Sequence, residues 1–297
     1  MQTALDCIPC FARQALEAAR FVTDDAAVHG RILRDVLRWA AEMDLAQPPP
    51  LVAQRIHRLL RALTGVEDPY RAVKDRFNRM ALDMLPALSA TVRRAADPLA
   101  MALRLAIAGN VIDLGVNGDM TEDEARRCVR NVLNEPFDGD VDAFRQAVGR
   151  AGSILYLADN AGEIVLDRLL IEQLPAGRVA VVVRGGPILN DATMADAQAA
   201  GLCDVVEVID NGSDAPGTVL NDCSEAFRRR LAEAGLVIAK GQGNFETLSD
   251  EEADIWFLFK VKCPVIAGHA GLPMGTHVAG RRMTASPVAG GESHATT

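Results

Sequence analysis

Lysine is scarce in this 297-residue sequence: of 31 basic residues only Lys74, Lys240, Lys260 and Lys262 are lysines, and all the others are arginines. In such a chain a position that keeps a compact ammonium is a candidate for a site needing a point charge. Aromatic residues make up 4%, too few for a base-stacking surface, so Trp39 and Trp256 are expected in the core. Basic charge is in deficit, with a net charge of −9, which argues against a protein that coats nucleic acid. Long apolar runs are missing as well. The stretch Leu99 to Ile112 is broken by Arg104 and Asn110, and Cys263 to Gly280 is full of Gly, Pro and His, so neither reads as a membrane span. The opening, MQTALDCIPC, carries Asp6 where a secretory leader would be basic, and the expected location is cytoplasmic.

Several signatures are absent. No GxGxxG follows the first strand of the pattern, there is no Walker lysine, and Asp159 lacks the second Asp of a haloacid-dehalogenase-type nucleophile motif. These gaps weigh against dinucleotide, ATP and aspartyl-phosphate chemistry. His29, His57, His269, His277 and His294 show neither HxH nor HExxH spacing, so none is expected as a ligand. The six cysteines sit in a long chain read as cytosolic, where metal, redox or buried apolar roles outweigh a disulfide framework.

What is present divides the chain in two. Apolar residues at three- and four-residue spacing predict helices over Cys10–Ala19, Ala26–Glu42, Pro50–Leu63, Tyr70–Met84 and Pro98–Ile112, and Thr121 is placed to cap another. After Gly149 the pattern becomes short apolar runs, Ile154–Ala158, Val179–Val183, Val205–Ile209 (interrupted by Glu207) and Leu236–Ala239, with helical segments between them. Strands buried on both faces that alternate with helices imply a parallel, doubly wound sheet. The fold class is therefore α/β, an N-terminal all-helical region (1–148) packed on a mostly parallel α/β sandwich (149–283), with 284–297 as a loose tail. The two halves differ in charge: residues 1–150 carry a net −1 and residues 151–297 a net −8.

In an open parallel sheet ligands bind beyond the carboxyl ends of the strands. Here those ends are polar: Asp159-Asn160-Ala161-Gly162-Glu163, then Arg184 through Thr193, Asp210 through Asp214, and Lys240 through Glu246. Carboxylate and amide oxygens are the hard ligands that Mg²⁺ or Mn²⁺ prefers, and Asp159, Asn160 and Asp191 supply them. The glycines let backbone N–H groups approach an anion, and Lys240 can neutralise a phosphate oxygen. Taken singly, each residue reads as readily as a turn, an N-cap or a solvated charge; their convergence on one rim favours phosphoryl chemistry.

The loop strings LADNAGEIVLD (Leu157–Asp167), GGPILNDAT (Gly185–Thr193), NGSDAPGT (Asn211–Thr218), KGQGNFETL (Lys240–Leu248) and KVKCPVIA (Lys260–Ala267), with CIPC (Cys7–Cys10), DPYRAVKDRFN (Asp68–Asn78) and GNVIDLG (Gly109–Gly115), resemble the metal-dependent damage-control phosphatases. That family, formerly a domain of unknown function, is also labelled acidic-residue-methyltransferase-like, and CIPC matches its cysteine-bearing branch. The resemblance spans nearly the whole chain. It implies a divalent cation (Mg, Mn, Co or Ni) held by Asp159, Asn160 and Asp191, and a lysine on phosphate at Lys240. It also implies a cleft lined by Asn110 and Asp113, whose alternative reading is a helix-end cap and a solvated Asp, and a small phosphorylated metabolite, often damaged or sugar-like, as substrate. Asp159 or Asp191 would orient the attacking water, with Lys240 and the Gly241 and Gly243 amides stabilising phosphoryl charge. Glu163 is either a supporting group or a favourable charge on a helix dipole. No nucleic-acid, membrane or protein partner is indicated. The rival readings are a carboxyl methyltransferase using S-adenosylmethionine and a non-enzymatic metal or metabolite sensor. CIPC is open between structural thiols and a metal or redox role that Cys263 could join.

Overall fold

The computed structural model describes residues 1–109, 124, 127 and 130–281; Asn110, Asp113, Thr121 and the segment 284–297 lie outside the described residues. Helices α1 (Cys7–Val22), α2 (Ala26–Glu42) and α3 (Pro49–Thr64) form where the apolar spacing predicts them. Their facing stripes, including Phe11, Ala15, Ile32, Val36, Ile56 and Leu60, make a small core of their own. Asp25 caps α2 by accepting from Ala27 N, and Gly65 ends α3 in the left-handed conformation that a residue without Cβ adopts freely. Helix α4 (Arg71–Arg94) runs ten residues beyond the expected end at Met84 and carries Pro86 inside it. Proline removes one backbone donor there; Met84 and Val92, buried on either side of it, hold the helix through the position. Asp97 caps α5 (Pro98–Ala108).

Among the described residues the sheet has seven strands: β1 (Phe137–Gly139), β2 (Ile154–Leu157), β3 (Val179–Val183), β4 (Glu207–Asp210), β5 (Leu236–Lys240), β6 (Ile255–Lys260) and β7 (His277–Gly280), in the order β1-β7-β6-β5-β2-β3-β4. Among these described strands only the β6–β7 pair is antiparallel, so the expected α/β architecture with a mostly parallel sheet is the one found. Three strands escape the sequence pattern. β1 and β7 are three and four residues long, and β1 lies upstream of residue 149, where the β-rich pattern starts. β6 (IWFLFK) is an aromatic and apolar run set off by the acidic stretch 250–254, a strand signal that the pattern passes over.

Helices α6 (Val141–Arg150), α7 (Glu163–Ile171) and α8 (Met194–Ala199) join α4 and α5 on one face of the sheet, where Phe144, Leu166, Leu170 and Ala197 bury against Tyr156, Val181 and Trp256. Helices α9 (Glu225–Ala232), α10 (Gly241–Leu248) and α11 (Pro264–Ala270) cover the other, with Phe227, Phe245 and Ile266 against Leu157, Val182 and Phe257. The few aromatics serve mainly these cores: Trp256 meets Phe144 edge-on at 5.1 Å, and Phe245 stacks on Phe259 at 4.6 Å. The crossover direction reverses between neighbouring strands β2 and β5, since β2 leads towards β3 and β5 towards β6. A crevice opens where adjacent connections diverge, so the loops after β2 and β5 face each other across it. Among the described residues no helix is long and apolar enough to cross a membrane.

His57, on α3, is buried with Nε2 unpaired, and burial followed by the nearby Arg61 charge pushes its pKa down to about 4. The unfolded chain binds a proton near pH 6.5 that the folded chain refuses until about pH 4, so stability rises with pH across that window and is lost as pH falls through it. Replacing His57 with Phe should flatten the acid side of the stability profile, removing up to about 3 kcal/mol of the wild-type loss between pH 6.5 and pH 4. Urea midpoints collected over that range check it; parallel curves for the two proteins would refute the assignment.

Candidate active site

The loop after β2 and the loop after β3 are laced together by main-chain hydrogen bonds. Ala192 N donates to Asp159 O at 2.7 Å and Ala161 N to Asn190 O at 2.8 Å, and an antiparallel bridge joins Asn160 to Asp191. This lacing brings Asp159, Asn160 and Asp191 together on the wall of a cavity of about 760 Å³. Leu189, in the same loop, is held at φ 45°, a left-handed conformation costly for a residue with a branched side chain.

Asn160 donates its amide Nδ2 to Asp159 Oδ2 at 2.8 Å and to Glu163 Oε2 at 3.0 Å. Two carboxylates on one NH₂ group fix which way the amide points, leaving Oδ1 as a ligand-capable atom. Arg184, at the end of β3, is buried; its Nε donates to Asp191 Oδ2 at 2.7 Å and its Nη2 stands 3.7 Å from Asp159 Oδ1. The guanidinium offsets the mutual repulsion of two carboxylates crowded onto one wall. Among the described residues no three His, Cys, Asp or Glu side chains form a group that could hold a metal. The donor set is instead two carboxylates and one amide oxygen, the sparse, all-oxygen kind that suits a hard cation completing its shell with water. The residues present therefore fit a divalent cation.

Gly241, the first residue of α10, has φ 78°, and a Cβ there would fall on Asp159 Oδ2. The backbone of the β5 loop thus presses directly against a carboxylate of the β2 loop, which is why glycine follows Lys240. Gly241→Ala should cost about 1–3 kcal/mol through the strained backbone. It should lower activity far more than that stability loss explains, because Asp159 must move. Thermal melting beside turnover measures both, and equal retention of activity and stability would count against the contact. Of the two predicted amide donors only Gly243 lines the cavity, next to Gln242 and Glu246 on the same helix.

Lys240 stands elsewhere than the sequence suggests. It is fully buried and does not line the cavity: its Nζ donates to the Ala106 carbonyl at 2.9 Å, to Glu163 Oε1 at 2.7 Å and to Asp167 Oδ1. Tyr156 donates its hydroxyl to the same Asp167 oxygen at 2.8 Å. Burial pushes the Asp167 carboxyl up to about 7 despite the ammonium beside it, and the two carboxylates hold the Lys240 ammonium above its ordinary value against the cost of burial. Glu163 is likewise fully buried and bridges Lys240 to Asn160. A chain of contacts thus runs from the middle of β2 through Asp167, Lys240 and Glu163 to the loop that carries Asp159 and Asn160. Asp167 was readable only indirectly, from its place four residues after Glu163 on one helical face.

The helical half supports the same loop. Asn78 of α4 accepts from Gly162 N at 2.7 Å and donates to Asp196 at 3.0 Å, while the buried Lys74 pairs with Asp196 at 2.9 Å. Arg13 and Phe21 from α1, Tyr70 just before α4, and Lys262 from the loop after β6 also line the cavity, and the sequence pattern assigned them no part in it. Cys7, Cys10 and Cys263 line it too, and burial raises the Cys7 thiol.

Residues 3–278 match the damage-control phosphatase ARMT1-like domain. The chain belongs to this family. A damage-control phosphatase of Archaeoglobus fulgidus is 35% identical over 280 residues, covering 92% of this chain and 96% of the relative. Damage-control phosphatase PH1575 of Pyrococcus horikoshii is 32% identical over 285 residues, covering 94% and 97%. The crystal structure of that Pyrococcus protein, described as a DUF89 family protein, superposes with a TM-score of 0.85 at 31% identity and covers 95% of this chain and 99% of its own. For a damage-control phosphatase fold, the cavity beside the β2–β5 divergence is the natural candidate for the active site.

Proposed function

We propose that the protein is a divalent-metal-dependent phosphatase that hydrolyses phosphomonoesters of small, sugar-phosphate-like or damaged metabolites, and that CIPC places it in the cysteine-bearing branch of its family. The supporting observation is the meeting of Asp159, Asn160 and Asp191 on one cavity wall, in a chain whose relatives are named damage-control phosphatases. Bound there, Mg²⁺, Mn²⁺, Co²⁺ or Ni²⁺ supplies Lewis-acid polarisation of the phosphoryl group.

The protein's own residues do the rest. Asp159 and Asp191 hold the cation and orient the attacking water, and Arg184 keeps both carboxylates paired with positive charge from behind. The first-turn amides of α10 have no partner within the helix, and Gly243 brings that turn to the cavity, where such amides favour the equatorial phosphoryl oxygens. Lys240, fully buried, acts by holding Glu163, and through it the Asn160 amide, in a fixed orientation. Asn110 and Asp113 remain proposed lining residues of the same cleft.

A phosphate-release screen over sugar phosphates, nucleotides and p-nitrophenyl phosphate, each with EDTA and with the four metals, tests the reading. Release that requires metal is expected. No release from any ester under any metal, together with calorimetric binding of S-adenosylmethionine, would overturn it in favour of the methyltransferase.

A further inference from the structure

The hydrolase reading leaves unused the thiols on the cavity wall. Cys7 and Cys10 occupy the first turn of α1, and both line the cavity with Cys263 and Glu246. Residues three apart on a helix share a face, and α-helical geometry puts their Cα atoms about 5 Å apart, inside the 4.4–6.8 Å range that a disulfide spans. Cys10 is exposed, and the Arg13 guanidinium donates to its sulfur at 3.2 Å; Cys7 is partly buried. One sulfur is thus open to an oxidant, with a second within reach behind it.

We propose that Cys7 and Cys10 are a reversible modification site, a dithiol that peroxide oxidises to an intrahelical disulfide, and that the change is felt in the cavity through Arg13. Cys10 thiolate attacks the peroxide O–O bond, giving Cys10–SOH and hydroxide. Cys7 then attacks the sulfenic sulfur, forming the S–S bond and releasing the oxygen as water, so two thiols and one peroxide give one disulfide and two waters. Burial raises the Cys7 thiol, with Glu246, Cys263 and Cys10 adding to the effect, which suits the resolving partner more than the attacking one. Oxidation also weakens the sulfur as an acceptor and so removes one of two holds on the Arg13 guanidinium, a cavity-lining cation whose Nε stands 3.9 Å from Glu17 Oε1, leaving it more available to an anion in the cavity.

The test needs no substrate. Trypsin releases residues 1–13 as one peptide that contains Cys7 and Cys10 and no other cysteine. Limited hydrogen peroxide should lower the mass of that peptide by two hydrogens, reversibly with dithiothreitol, in wild type and in Cys263→Ser but not in Cys7→Ser or Cys10→Ser. The oxidised protein, with Mn²⁺ present, should bind inorganic phosphate about threefold more tightly in calorimetry, the worth of one exposed ion pair. A peptide that stays reduced or goes only to sulfinic acid, or a cross-link to the peptide of Cys263, overturns the assignment; equal phosphate affinities overturn the link through Arg13. Failure of the phosphate-release screen alone would leave the mass readout intact, so the two readings fail separately.

Discussion

Asp159→Ala is expected to lower metal-dependent phosphate release by roughly 10³-fold, at or beyond the upper end of what removing one preorganised electrostatic contact costs. The side chain is one of two carboxylates in the donor set, and it also accepts from Asn160 Nδ2 at 2.8 Å. On the proposed reading its removal takes away a ligand and leaves the Asn160 amide held by Glu163 alone. The main chain should survive, because the Asp159 carbonyl keeps its bond from Ala192 N at 2.7 Å. Stability should therefore change little, or rise slightly as repulsion with Asp191 is relieved. Asp159→Asn, of the same shape without the charge, should be nearly as inactive. Turnover of p-nitrophenyl phosphate with each metal, beside a melting curve, separates the effects. Undiminished metal-dependent turnover in Asp159→Ala would remove this residue from the mechanism.

Lys240→Met is expected to be the most destabilising single change in the site, costing about 3–5 kcal/mol, because it strands Glu163 and Asp167 as buried carboxylates without their cation. For a chain of this size the melting temperature should fall by at least about 5 °C. Activity should fall as well, since the Asn160 amide loses the fixed Glu163 that holds it. The two roles assigned to this lysine come apart in one further variant. Lys240→Met combined with Glu163→Gln and Asp167→Asn removes the stranded charge and should recover most of the lost stability. If Lys240 touched phosphate, the triple variant would still show KM raised for every ester. If it works through Glu163, the loss should appear in metal affinity, read by calorimetry with Mn²⁺. A Lys240→Met protein as stable as wild type would contradict the buried network outright.

The charge imbalance of the second half acquires a local meaning in the site. Asp159 and Asp191 concentrate negative charge on one cavity wall, but Arg184 is buried behind them and a cation completes the neutralisation in the proposed state. Without metal, the wall should repel phosphate esters. Of the four lysines, Lys74 and Lys240 are both fully buried against carboxylates, so scarcity of lysine marks interior ion pairing as much as ligand contact.

Composition and periodicity determined the helical half, the parallel strands β2, β3 and β5 and the α/β class, because burial on one stripe or on both faces leaves a period in the sequence. The family was readable from the resemblance of the loop strings, and the oxygen-rich loops from the glycines and carboxylates that cluster where the strands end. Short β1 and β7 carried too few residues to show a period. The place of Lys240 was decided by tertiary structure alone: nothing in KGQGN reveals that Glu163, Asp167 and the Ala106 carbonyl, from two other helices, converge on its ammonium. Sequence named candidate ligand residues. Which of them face the cavity depended on where the two loops diverge, a long-range packing outcome that residue type and spacing do not encode.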